Sequence, residues 1–277
     1  MKEHKAISFI QNLKDSYRED KKTFIWYSVL RFLVFLTAIR CIFTKNWEYL
    51  AMCVLALFMF LLPSLVQKLF KIKIPALFQI IIFCFIFAAE ILGEVDHFYV
   101  HIPGWDTMLH TMNGFLCAAV GFSLIDLLNR SSKKVQLSPF YLAFMAFCFS
   151  MTVGVLWEFF ECFVDITLYN DMQKDFIVQA FGSVTLDPAQ NGTSIHVKDI
   201  TQTIINTASG QTYTIDGGYL DIGILDTMKD LFVNFIGAVV MSTIGYFYEM
   251  THNEKSIAKG LMLEVAEEDT KEEKNGD

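Results

Sequence analysis

The chain has 277 residues, 53% of them hydrophobic and 19% charged, with a formal net charge of -8. So apolar a composition excludes an ordinary soluble globule, and the acidic balance argues against nucleic acid, which demands a basic face. The apolar residues also fall in long blocks, which points to an integral membrane protein.

Segment 1–23 carries Lys2, Lys5, Lys14, Arg18, Lys21 and Lys22 and lacks the short apolar core and small-residue cleavage site of a secretory signal. It reads as a basic cytoplasmic segment, with the first span as its own insertion signal. Crossing a hydrocarbon core of roughly 30 Å takes about 20 residues at 1.5 Å each. Stretches of that length cover Phe24–Phe43, Trp47–Val66, Ile74–Leu92, Thr107–Leu128, Pro139–Phe163 and Leu231–Tyr248. Residues 24–166 are therefore expected to hold five spans and 226–250 the sixth. Between them, 167–225 is too long for a plain loop. Its alternating stretches SVTL, DITQTIINT and QTYTID, separated by the turn signals DPAQNG and SG, predict a small β-rich insertion. The last stretch, 251–277, has too little apolar content to fold by itself and reads as a disordered acidic tail. The six cysteines lie in or beside hydrophobic segments, where they act as small apolar residues rather than as a disulfide or zinc framework.

Positive residues near span ends mark the cytoplasm. They cluster in the N-terminal segment, at Lys68, Lys71 and Lys73 after the second span, and at Arg130, Lys133 and Lys134 after the fourth. The opposite turns are poor in Lys and Arg. The expected fold is an all-α integral membrane protein of about six transmembrane helices, with both termini cytoplasmic and the β-rich insertion between helices 5 and 6 extracytoplasmic.

Polar groups sit at helical spacing at four span ends: Glu90 and Glu94 closing the third, Asp106 and His110 opening the fourth, Glu158 and Glu161 closing the fifth, and Asp226, Asp230 and Asn234 opening the sixth. Spacings of three and four put each set on one helix face. Counted from the cytoplasmic ends they lie about 15 to 23 positions along, or roughly 23 to 35 Å, which is one level near the far edge of the core. Many acids at one level repel and need neutralising, by shared protons, by a divalent cation held by carboxylates and an imidazole, or by a cationic ligand. Arg40, at a similar depth in the first span, is a further partner for a carboxylate or a phosphate. For any one residue the plainer reading holds: Asp106 and Asp226 suit helix N-termini, and Trp105 and Trp157 suit the interfacial aromatic belt. Taken together, the residues point to a site. Its expected metal ligands are Asp106, His110, Glu158, Glu161 and Asp230, with His110 and Glu158 as candidate catalytic groups, lined by Glu90, Glu94, Asp226, Asn234 and Arg40.

The segments GWDTMLHTMNGF (104–115), VGVLWEFFECFVD (153–165) and DTMKDLFVNFIGA (226–238) resemble the YjdF-like group of uncharacterised bacterial inner-membrane proteins. A looser similarity reaches VanZ-like membrane proteins, some linked to glycopeptide resistance. Their pattern corresponds here to Asp106 and His110, to Glu158 and Glu161, and to Asp230, Asn234 and Gly237. The resemblance implies a multi-pass protein of the bacterial cytoplasmic membrane and supplies no reaction. Three functions follow as expectations. The first is an envelope enzyme using a divalent metal or proton site on a lipid-linked or lipid-headgroup substrate. The second is a carrier for a cation or small cationic solute. The third is a non-catalytic envelope protein whose insertion binds a partner.

Overall fold

The computed structural model describes residues 21–131, 136–251 and 256–265. Segment 1–20 and the end of the expected tail, 266–277, lie outside the described residues. Among the described residues six helical segments are long and apolar enough to cross a membrane: Lys21–Phe43, Trp47–Phe70, Ala76–Val95, Trp105–Ser131, Pro139–Leu168 and Ile224–Thr251. Large apolar side chains such as Phe32, Leu69, Phe140 and Phe247 stand exposed along them, as lipid-facing surfaces require. The chain divides into two compact units, one made of residues up to Val153 together with those from Val233 onward, the other of Gly154–Phe232.

The first unit begins with α1 (Lys21–Phe43), α2 (Trp47–Met59) and α3 (Leu62–Phe70). The second span, expected as one helix, is broken between α2 and α3 because Pro63 stands at the start of α3, where it cannot donate to the preceding turn. After β1 (Ile72–Lys73), α4 (Ala76–Ile86) continues as a π-helical stretch, Phe87–Val95. Its widened i→i+5 bonding ends with the Asp96 N–H donating to the Ile91 carbonyl at 2.9 Å. A single turn, α5 (Phe98–His101), leads into α6 (Trp105–Ser131), and the first half of α7 (Pro139–Leu168) and most of α8 (Ile224–Thr251) complete the bundle. Phe60, Phe83, Val34 and Cys53 centre one apolar core, and Phe78, Phe122, Leu142 and Met241 another.

α6 and α8 meet through glycines. A Cβ on Gly114 would fall on the Asn234 carbonyl, and one on Gly237 on the Thr111 carbonyl, so only hydrogen lets the two backbones approach this closely. The Ser150 hydroxyl, from α7, donates to the Gly114 carbonyl at 2.7 Å.

The stretch after Thr251 corrects the expectation of a tail over 256–265. Ser256 caps a 3-10 turn, Ile257–Leu261, and β8 (Glu264–Val265) pairs antiparallel with β1. Ala258, Leu261, Met262 and Leu263 are buried, and the Leu263 N–H donates to the Ser123 hydroxyl at 3.0 Å. Four apolar residues beside a run of acids are diluted in an average over the whole stretch, yet they suffice to dock it.

The second unit holds the end of α7, the insertion and the first turns of α8. Its strands pair as three separate antiparallel ribbons: β2 (Ile177–Val178) with β7 (Tyr219–Leu220), β3 (Phe181–Ser183) with β4 (Ile195–Val197), and β5 (Gln202–Asn206) with β6 (Thr212–Asp216). The insertion is thus β-rich, as the alternation predicts. Asp187 organises its longest turn, accepting from the N–H groups of Ala189, Asn191 and Thr193. These bonds, Ala189 first, hold its carboxyl below the usual range against the opposing effect of burial.

Candidate functional site

In the first unit, the opening turns of α6 carry Asp106 and His110. One turn apart on a helix, they face the same way, and His110 Nε2 lies 3.4 Å from Asp106 Oδ1. A turn further on, Asn113 donates from Nδ2 to Asn234 Oδ1 at 3.3 Å, and the Cys117 thiol faces Asn113 Oδ1 at 3.5 Å. Asn234 is 1% exposed, and its own Nδ2 points to Met151 Sδ at 3.6 Å. Asn234, expected to line the site, takes part in the joint between α6 and α8. Asn113 was not singled out in the sequence, although its spacing of three from His110 was the signal available.

Arg40 finds a carboxylate partner, one of the two kinds expected for it. Its guanidinium donates to Asp96 Oδ1 at 2.6 Å, a charge-assisted pair that binds the end of α1 to the end of the π-helical stretch. Within that stretch Glu90 is half-buried and Glu94 exposed.

In the second unit the acids fall into two kinds. Asp165, near the end of α7, accepts from the backbone N–H groups of Met172 and Gln173 at 2.7 and 2.8 Å. Asp226 accepts the Lys174 backbone N–H at 2.9 Å on Oδ2 and the Lys229 ammonium at 2.7 Å on Oδ1. Asp221 takes the N–H groups of Phe176, Gly223 and Leu225. Burial pushes the Asp221 carboxyl up, but these backbone donors outweigh it and hold the group below the usual carboxylate range. All three anchor the insertion's backbone to the helix ends. Sequence reasoning placed Asp226 among the site-lining groups, whereas its observed bonds are those of an anchor.

Glu158, Glu161 and Asp230 are of the other kind. They are 4%, 7% and 2% exposed, respectively, and they sit on helices long and apolar enough to cross a membrane. Glu158 and Glu161 share one face of α7, with carboxylate oxygens within 4.8 Å of each other. The Trp157 indole N–H donates to Glu161 Oε1 at 2.7 Å, a positioning contact beyond the interfacial role its residue type suggested. Asp230 Oδ1 lies 3.4 Å from Lys229 Nζ. Carboxylates and an imidazole are ligands for hard and borderline divalent metals.

A family model described as a predicted membrane protein family, DUF2238, matches residues 23–251. The chain belongs to that family. The match runs from the start of the first candidate span to the end of the sixth and takes in the insertion. It is the same family as the YjdF-like group that the three sequence segments resemble; the similarity to VanZ-like proteins is not shown. No curated protein and no solved structure matches the chain. This member of the family is a multi-pass membrane protein with acidic and histidine residues near the ends of its fourth, fifth and sixth spans.

Proposed function

We propose that the protein binds a divalent cation through Asp106, His110, Glu158, Glu161 and Asp230 and uses it on a lipid-linked or headgroup substrate at the outer face of the bacterial cytoplasmic membrane. The observation that carries this reading is the buried pair Glu158 and Glu161, two carboxylates one turn apart on a membrane-spanning helix. Like charges so placed demand compensation, because a buried ionised carboxylate without it costs several kcal/mol. A divalent cation, which must also shed part of its hydration shell to enter, is stabilised by both carboxylates at once.

In this reading the cation acts as a Lewis acid or water activator. His110, steadied by Asp106, and Glu158 are the groups that ligate it or move a proton. The outer face follows from the positive residues at the opposite span ends, Lys68, Lys71, Lys73 and Arg130. A carrier is the second reading, favoured by the Asn113–Asn234 pair, which extends polar contacts beyond His110 into the bundle. Beyond that pair, the fully buried Phe122 of α6, Leu142 of α7 and Met241 of α8 pack as an apolar core, which favours a site reached from one side.

Elemental analysis of the protein purified in mild detergent without chelator tests the proposal. Near-stoichiometric divalent metal is expected in the wild type, with loss in folded, monodisperse His110→Ala and Glu158→Gln. Metal-free wild type overturns it.

A further inference from the structure

We infer that Lys229 is a tethered counter-cation of the proposed cation site, neutralising Asp230 when no metal is bound and yielding that carboxylate to an incoming divalent cation. The inference rests on the reading of Asp230 as a metal ligand. Lys229 Nζ lies 2.7 Å from Asp226 Oδ1 and 3.4 Å from Asp230 Oδ1. The two acids are one turn apart on α8 and share a face, so one ammonium can reach both.

The two contacts are not equivalent. Asp226 is fixed by the Lys174 backbone N–H on its other oxygen, which makes it the anchor. Asp230 is 2% exposed and holds the ammonium at the longer distance, which makes it the releasable partner. A lysine suits this arrangement because its charge is compact and its stem flexible. The side chain is 37% exposed, so the ammonium keeps access to water. The Phe176 ring lies 5.9 Å from Nζ and offers a favourable cation–π surface on the Asp226 side. Lys229 therefore has somewhere to rest after leaving Asp230: against Asp226 and over Phe176. A divalent cation brings twice the charge to Asp230 and takes the ammonium's place there, with no bond made or broken and no proton moved.

Lys229 thereby sets the threshold for cation binding. Removing a competing unit charge 3.4 Å from a ligand is expected to tighten binding at least about tenfold. The test is Mn²⁺ titration of the full-length protein, stripped of metal and followed by electron paramagnetic resonance, in wild type, Lys229→Met, Lys229→Arg and Lys174→Met. Lys174 pairs with Asp171 at 3.6 Å, so its substitution removes an equal charge from the same unit without touching Asp230. The double variant Asp226→Asn/Lys229→Met removes anchor and lysine together, and keeps the test open if the single variant does not fold.

Tighter Mn²⁺ binding in Lys229→Met or the double variant, with Lys229→Arg and Lys174→Met near wild type, is the expected result. If wild type binds one Mn²⁺ and loss of Lys229 gives no gain, the counter-cation role is overturned and the metal site stands. If only the Lys229→Met proteins bind, Lys229 holds the site closed, and a resident metal in the wild type is overturned instead. Binding in none of them overturns both.

Discussion

Trp157 and Glu161 bear on the proposed cation site through a group that would not itself touch the cation. Glu161 Oε1 receives the indole N–H at 2.7 Å, which restrains the carboxylate's rotation. Losing such an outer contact typically costs about 10- to 100-fold in metal affinity. Trp157→Phe is accordingly expected to weaken divalent-cation binding by that factor, with monodispersity and helix content unchanged; the Mn²⁺ titration reads the first and circular dichroism the second. Unchanged affinity would make the indole a lipid-interface group only. At this scale the sequence shows residue types and spacings but not partners. The pairs Asp106/His110 and Glu158/Glu161 were legible because both members lie within one helical turn. The partner of Arg40 was not, since Asp96 is 56 positions away, and neither was the anchoring of Asp226 by the Lys174 backbone, 52 positions away. An acid that caps a distant loop and an acid that lines a site look alike until the chain has folded.

Secondary elements were read best where a single physical rule decides them. Six apolar blocks of spanning length gave six spanning segments, and alternation with turn residues gave the ribbons of the insertion. Where the sequence was misread, a local term had been averaged away, as with Pro63 inside the second span and the small apolar cluster at 258–263. The π-helical stretch at Phe87–Val95 has no sequence signal that we can identify. The approach of α6 to α8 is set by Gly114 and Gly237. A methyl group at position 237 would overlap the Thr111 carbonyl and press on the Phe115 amide. Because those are backbone atoms of a helix, relief requires the helices to separate, which also strains the Asn113–Asn234 contact one turn away. Gly237→Ala is expected to destabilise the protein by about 1–3 kcal/mol, the usual cost of overpacking. Thermal melting in detergent should show a clearly lowered midpoint, and a wild-type midpoint would mean that the helices part without cost.

For the molecule as a whole, the orientation in the membrane decides which substrates are within reach. The span ends and connections between spans 2 and 3 and between spans 4 and 5 carry Lys68, Lys71, Lys73, Arg130, Lys133 and Lys134, while the segment from Glu94 to Asp106 carries no Lys or Arg. Lys and Arg are retained on the cytoplasmic side during insertion, so this asymmetry predicts that the insertion and the span ends bearing Asp106, Glu158 and Asp230 face outward. Two single-cysteine proteins on a background lacking the native cysteines test this. Ser194→Cys lies in the insertion, and Gln136→Cys in the turn before α7. In intact cells a membrane-impermeant maleimide is expected to label position 194 and to reach position 136 only after permeabilisation. The opposite pattern would turn the acidic ends toward the cytoplasm. The proposed cation site would then meet cytoplasmic lipid headgroups and soluble phosphates, and an outer-leaflet, lipid-linked envelope substrate would be ruled out on access alone, whatever the metal content of the protein.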